Sequence, residues 1–217
     1  MATVQRMFFE GSKKLLALTL TVGLVGWAPP ARASDADLTR TVKNLNAARN
    51  GEGNAHAKYL AFAQKADEEG YGAIASLFRA AATAEEVHGN NHEKAMRILG
   101  GNPDVKVETP VVNSTRENLE AAISGESYEY KSMYPEFVNQ ARRGPFLPAI
   151  VTFEEAQRTE EVHAKLYEQA LRDLDKLKGS GPRTFYVCSV CGYTVADLNF
   201  EKCPNCLKPK DRYKPVH

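Results

Sequence analysis

Four short groups of carboxylate and imidazole side chains recur along the chain: Glu52 alone, Glu85-x-x-His88, Glu126-x-x-Glu129 and Glu160-x-x-His163. Each lies near the middle of a segment with helical periodicity. Residues three apart share a helix face, so each group points one or two ligands at the same depth of a bundle. Side chains of this kind converging from four helices suit a pair of iron ions held mainly by carboxylates. A single Glu-x-x-His pair is usually two solvated side chains. Here every group falls on an apolar stripe, and buried carboxylates without partners are costly, so cations are required.

The stripes step by three and four. The first runs Leu45, Ala48, Glu52, Ala55, Tyr59, Phe62, and the second Ile74, Phe78, Ala81, Glu85, His88, His92. The third runs Leu119, Ala122, Glu126, Glu129, Met133, Phe137, and the fourth Phe153, Ala156, Glu160, His163, Tyr167, Ala170. This register selects Glu85 over Glu86 and Glu160 over Glu161. It makes His92 a satisfied inner histidine and His56 a polar neighbour one step off its stripe. Gly89-Asn90-Asn91 are poor helix formers and read as a tolerated surface turn, with local distortion of the helix beside His88 as the alternative.

Helices are therefore expected over about 38–68, 71–99, 114–142 and 145–178. Gly70 and Gly72 mark the first reversal, and Gly100-Gly101 end the second helix. Ser114-x-x-Glu117 is a capping box that opens the third. The connection 100–113, with Pro103 and Pro110, has no helical pattern. Fourteen extended residues reach roughly 46 Å, and a helix of 28 residues is roughly 42 Å long. The connection can thus return along the whole bundle. One long crossover between the second and third helices is a ferritin-like four-helix topology.

A second metal motif follows the linker Gly179-Ser180-Gly181-Pro182. Cys188-x-x-Cys191 and Cys203-x-x-Cys206 form two knuckles and use all 4 cysteines of the chain. Four thiolates bind one tetrahedral ion, and the spacing alone fits zinc or iron. Two disulfides are the alternative reading in an oxidising compartment. The remaining module is too small to fold on apolar burial alone, so the metal is expected to hold it together.

The whole chain has 217 residues, 25% charged and 43% hydrophobic, with a net charge of +1. That balance does not argue for nucleic acid or an anionic membrane surface as a partner. Lys13-Lys14, the apolar run Leu15 to Ala28 and Ala31-Arg32-Ala33 have the layout of a secretory signal with cleavage after Ala33. The run is short for a membrane span. The expected organisation is a signal peptide over 1–33, a helical bundle over 34–178, and a linker with a small metal module over 179–217. The expected location is the periplasm, with no stable membrane span after cleavage.

The helical ligand set, followed by Tyr186-Val187-Cys188-Ser189-Val190-Cys191-Gly192-Tyr193 and Cys203-Pro204-Asn205-Cys206, resembles the rubrerythrin family. The resemblance covers nearly all of residues 38 to 215. It implies a mainly α fold, a ferritin-like bundle followed by a small β-rich rubredoxin-like module, and it favours iron over zinc at the four cysteines. It also implies reduction of hydrogen peroxide to water at a di-iron site. Electrons would pass from a donor protein, not identified by the sequence, through the rubredoxin-like iron. Carried over by position, Glu52, Glu85, His88, Glu126, Glu129, Glu160 and His163 are the di-iron ligands, with Glu85 and Glu160 bridging. Glu129 and His88 are the pair that exchange on one iron with redox state. Tyr59 and Tyr134 are the tyrosines that bond ligand carboxylates, although Tyr134 stands one step off its stripe. The resemblance further implies a head-to-tail homodimer or higher oligomer that brings one subunit's cysteine centre to the other's di-iron site.

The export signal departs from the family's usual cytoplasmic setting and puts a pyridine-nucleotide donor chain in doubt. Two other functions are compatible with the same residues. One is a ferroxidase or iron-handling protein, and the other is a non-enzymatic zinc- or iron-binding protein.

Overall fold

The computed structural model describes residues 34–217, and the expected signal segment lies outside the described residues. Helix α1 spans Asp35–Glu68 and α2 Gly72–Ile98. Helix α3, Thr115–Tyr128, runs into a π-helical turn, Glu129–Met133, and then α4, Tyr134–Ala141. Helix α5 spans Leu147–Arg172, and a single turn, α6, covers Leu174–Leu177. Three short strands follow: β1 Phe185–Cys188, β2 Thr194–Val195 and β3 Tyr213–Val216, antiparallel in the order β2-β1-β3. No helix among the described residues is long and apolar enough to cross a membrane.

The start signals act where the sequence puts them. Ser34 caps α1 by accepting from the Asp37 amide. Ser114 and Glu117 form the reciprocal capping box of α3, satisfying two amides that a helix start otherwise leaves unpaired. Two expected helices are interrupted. The fourth breaks at Asp173, whose carboxylate accepts from Lys176 at 2.8 Å. The third is widened by the π-turn. That turn releases the Tyr130 carbonyl, which accepts from the Gln157 side chain at 3.1 Å.

The bundle core is two apolar plugs with the ionisable layer between them. One plug contains Tyr59, Phe62, Phe78, Leu119 and Tyr167, and extends to Phe185 and Val187 of the small module. The other contains Leu45, Met96, Tyr134, Phe146 and Phe153. The plugs exclude water above and below the carboxylates, which is what makes their charge expensive.

The long crossover lies along α1, and asparagine side chains of α1 hold it there. Asn46 accepts from the Asp104 amide at 2.8 Å, Asn50 from Lys106 at 2.6 Å and Asn54 from Glu108 at 2.7 Å.

The small module packs against the bundle of its own chain. The Ser180 carbonyl accepts from the Gly72 amide at 3.1 Å, and the Gly179 amide donates to Gly70 at 2.8 Å. Asn91 donates to the Val190 carbonyl at 2.8 Å, and Asn205 donates to the Glu155 carbonyl at 2.8 Å. Asn91 is thus an anchor for the module and not part of a surface turn, and α2 runs through Gly89-Asn90-Asn91 without a break. The approach of cysteine centre to helical site, expected from a head-to-tail dimer, is made here within one chain.

Candidate metal centre

Glu52, Glu85, His88, Glu126, Glu160 and His163 all project into the layer between the plugs, and all are buried. They form two overlapping groups. Glu52, Glu85, His88 and Glu160 bring one ligand atom each to within 4.8 Å of one another, as do Glu85, Glu126, Glu160 and His163. Glu85 and Glu160 belong to both. Their oxygens divide between the two histidines. His88 Nδ1 lies 3.0 Å from Glu85 Oε2 and 2.9 Å from Glu160 Oε1. His163 Nδ1 lies 3.4 Å from Glu85 Oε1 and 3.1 Å from Glu160 Oε2. Two carboxylates that each turn one oxygen to either side are placed to bridge two ions.

The outer nitrogens of both rings are fixed. His88 Nε2 lies 3.1 Å from the carbonyl of Cys191, which can only accept. His88 therefore carries a proton on Nε2, and Nδ1 is the nitrogen it offers to the layer. His163 Nε2 lies 3.0 Å from Thr194 Oγ1, whose own hydroxyl donates to the Gly192 carbonyl. Thr194 must accept, so His163 likewise carries a proton on Nε2. Orienting a ligand histidine through its far nitrogen is what metal sites require.

The layer needs positive charge. Glu52 Oε2, Glu85 Oε1, Glu126 Oε2, both oxygens of Glu160 and His163 Nδ1 are buried without a hydrogen-bond partner. Burial pushes Glu52 well above the usual carboxylate range and Glu126 up to about 7. Burial opposes charge on His88 and His163, but the surrounding carboxylates hold both well above the ordinary imidazole value. Protons would have to stand in wherever cations were missing. The donor set, its spacing and its orphaned atoms fit two metal ions.

Two tyrosines orient the outer carboxylates. Tyr59 donates to Glu126 Oε1 at 2.7 Å, and Tyr134 donates to Glu52 Oε1. A straight helix would turn Met133 inward at this level. The extra residue of the π-turn advances the phase by one, so Tyr134 is buried, together with Val138, Gln140 and Ala141 of α4. His92 stands behind this pair, its Nε2 at 3.0 Å from the Tyr134 hydroxyl and 3.3 Å from Glu52 Oε1. Thr152 Oγ1 is 3.0 Å from His92 Nδ1. Since Tyr134 spends its proton on Glu52, His92 donates to Tyr134 and accepts from Thr152.

Glu129 is the exception among the expected ligands. It begins the π-turn, is half-buried, and belongs to neither group of four. It lies over α1, where a Cβ on Gly51 would stand 3.8 Å from its Oε1. His56 is also outside the groups, with Nδ1 2.8 Å from the Ala82 carbonyl.

The four cysteines converge as well. Cys188 and Cys206 sulfurs are 3.8 Å apart, those of Cys191 and Cys203 3.6 Å, and all four lie within 4.8 Å. None is in a disulfide. Sulfurs about 2.3 Å from one central ion sit about 3.8 Å apart at tetrahedral corners, so the spacing fits a single metal. Gly192 lets this centre reach the bundle. Its φ of +79° favours glycine, and a Cβ there would lie 2.3 Å from His88 Nε2.

Thr152, Thr194 and the Cys191 carbonyl gave no signal in the sequence. Their roles come from docking the module and from packing between α2, α4 and α5.

Fold and site together define a ferritin-like di-metal protein joined to a rubredoxin-like four-cysteine module. The family model for rubrerythrin matches residues 43–172. Nigerythrin of Nitratidesulfovibrio vulgaris is 40% identical over 174 residues, 80% of this chain and 85% of that protein. Rubrerythrin-2 of Clostridium acetobutylicum is 36% identical over 176 residues, 80% of this chain and 95% of that protein. A structure of fully reduced, all-ferrous nigerythrin superposes with a TM-score of 0.74 at 39% identity, over 81% of this chain and 86% of that one. The chain belongs to the rubrerythrin family. Its two clusters are accordingly a di-iron site and a four-cysteine iron site.

Proposed function

We propose that this protein reduces hydrogen peroxide to water, taking electrons through the four-cysteine iron and protecting its surroundings from oxidative damage. The balance is H₂O₂ + 2 H⁺ + 2 e⁻ → 2 H₂O. When bound, the iron pair supplies two electrons to break the O–O bond, and the cysteine iron supplies single electrons to restore them. The observation that carries this reading is the 3.1 Å contact from the Cys191 carbonyl to His88 Nε2. A ligand of one centre there meets a ligand of the other through one hydrogen bond. An iron store or a passive metal-binding protein has no need of that connection.

The ligand assignment belongs to the same proposal. Glu85 and Glu160 would be shared by the two ions, Glu52 and His88 would hold one, and Glu126 and His163 would hold the other. Glu129, on the π-turn, would be the residue that exchanges with His88 when the site changes oxidation state. Such a turn moves one residue without disturbing the helix around it. Tyr59 and Tyr134 hold the outer carboxylates and sit where protons must arrive.

The export-type sequence over 1–33 supports a periplasmic location, and that location favours a c-type cytochrome or quinol-linked protein as electron donor. Family membership supports a homodimer or higher oligomer.

The test is to reduce the purified protein without oxygen, add peroxide, and follow the visible band of the cysteine iron. Rapid return of the oxidised band with peroxide consumed supports the reading, and so does slowing by Glu129→Ala. Zinc in the module, or a band that stays bleached while peroxide persists, contradicts it.

A further inference from the structure

The asparagines of α1 do more than hold the crossover down. Four residues of helix advance about 6 Å, and two residues of extended chain advance about 6.6 Å. Every fourth residue of α1 can therefore meet every second residue of a strap laid along it. Asn46, Asn50 and Asn54 use that match. Asn50 closes the middle rung from both sides, donating to the Asp104 carbonyl at 2.7 Å while accepting from the Lys106 amide at 2.6 Å. Asn54 repeats the pattern, donating to the Lys106 carbonyl at 3.1 Å and accepting from the Glu108 amide at 2.7 Å. The side-chain amides replace a neighbouring strand, so the strap is fixed in register although it belongs to no sheet.

The residues between the rungs, Val105 and Val107, fall over Gly53. A Cβ on Gly53 would lie 3.5 Å from Val107 and 3.8 Å from Val105. Beneath them is a cavity of about 240 Å³, floored by Glu52 and Glu85 and walled by Arg49 and His56. Both floor residues are ligand carboxylates, and each has one buried oxygen without a protein partner. His56 donates Nδ1–H to the Ala82 carbonyl, so its Nε2 remains an acceptor. Arg49 supplies donors on the same wall. At about 30 Å³ per water, the space has room for about eight waters.

We infer that this cavity is the vestibule through which the oxidant reaches the di-iron site, and that the asparagine-held strap sets its size limit. Its occupant is a small protic molecule that both donates and accepts, hydrogen peroxide. This inference rests on the peroxide reading for its substrate, but not for its geometry.

The experiment uses the full chain loaded with iron and reduced. Gly53→Leu fills the space under Val105 and Val107, and Asn50→Ala removes the central rung. Two rates are read for each: oxidation by hydrogen peroxide or cumene hydroperoxide, and removal of ferrous iron from the bundle by 2,2′-bipyridine. Gly53→Leu is expected to slow both by about tenfold or more, and Asn50→Ala to speed iron removal and narrow the gap between the two peroxides, as for a loosened lid. If the unaltered protein ignores peroxide, the functional reading fails, yet chelator removal still tests the vestibule. Gly53→Leu that folds and loads normally but changes neither rate overturns the inference. So does Asn50→Ala with unchanged iron removal, which decides the matter should Gly53→Leu fail to fold.

Discussion

His88 and His163 stand in equivalent places on α2 and α5, each three residues after a glutamate shared by both groups and each with its outer nitrogen fixed from behind. Beyond that the halves of the site differ. On the His88 side, Glu52 receives Tyr134, Tyr134 receives His92, and His92 receives Thr152. On the His163 side, Glu126 receives Tyr59 and the chain of donors stops among Phe62, Phe78 and Tyr167. The His88 side also touches the cysteine centre directly, through the backbone of a metal-binding residue. Near two-fold symmetry of the ligands thus builds a two-ion site, and the supporting residues on its two sides differ. On the function proposed above, electron delivery and ligand exchange would belong to the His88 half, and the His163 half would be the anchor.

The strongest way to break the comparison is to remove what the halves share. Glu85→Ala or Glu160→Ala is expected to empty both positions and to lower peroxide turnover by more than the roughly hundredfold typical of losing a supporting residue. Metal analysis and turnover would show it. Glu126→Ala should leave one position filled.

Chelating the metals separates charge from packing. In the metal-free protein Glu126 titrates near 7 instead of its ordinary 4.5, and Glu52, His88 and His163 are likewise raised. Groups raised on folding contribute stability that is full below their unfolded values and is lost as pH rises through the folded ones. The apo protein should therefore lose stability as pH rises from about 4.5 to 7, by up to about 3 kcal/mol for Glu126 alone. Glu85, held down at about 2 by His163 and His88 against the effect of burial, acts oppositely only below that window. Thermal unfolding across pH with and without metal tests this, and the loaded protein should show no such slope.

Tyr134→Phe and His92→Phe should each slow turnover by about tenfold or more. Tyr59→Phe should cost less, because no further donors stand behind Tyr59. Equal losses would remove the asymmetry. The smallest effects are expected from the two threonines. Thr152→Val leaves His92 Nδ1 without a donor, and Thr194→Val leaves His163 Nε2–H without an acceptor, each at a cost of about 1–3 kcal/mol in denaturant unfolding. Only Thr152→Val should also slow turnover.

Much of this was legible in the sequence. Mid-helix ligands on apolar stripes, the capping box at Ser114, the crossover length and the paired cysteine knuckles each follow from a local rule of spacing. Tyr134 was misphased because a π-turn has the same composition as an ordinary helix and shows only in its hydrogen bonds. Glu129 shares the three-residue spacing of the other pairs, yet it begins the π-turn and lies outside both groups of four. The asparagines of α1 look like solvated polar residues until the crossover lies against them. The docking of the module was hidden for a similar reason, since Asn91, Gly192 and Thr194 acquire their partners only across the interface.

The most direct test of the account is complementation between two defective chains. Cys188→Ser disables the electron relay, and Glu85→Ala disables the di-iron site. The two are unfolded together, refolded and loaded with iron. If each cysteine centre serves the bundle of its own chain through Cys191 and His88, the mixture should reduce peroxide no faster than the sum of the two alone. Recovery of a substantial share of the unaltered rate would contradict the account and place the working contact between subunits.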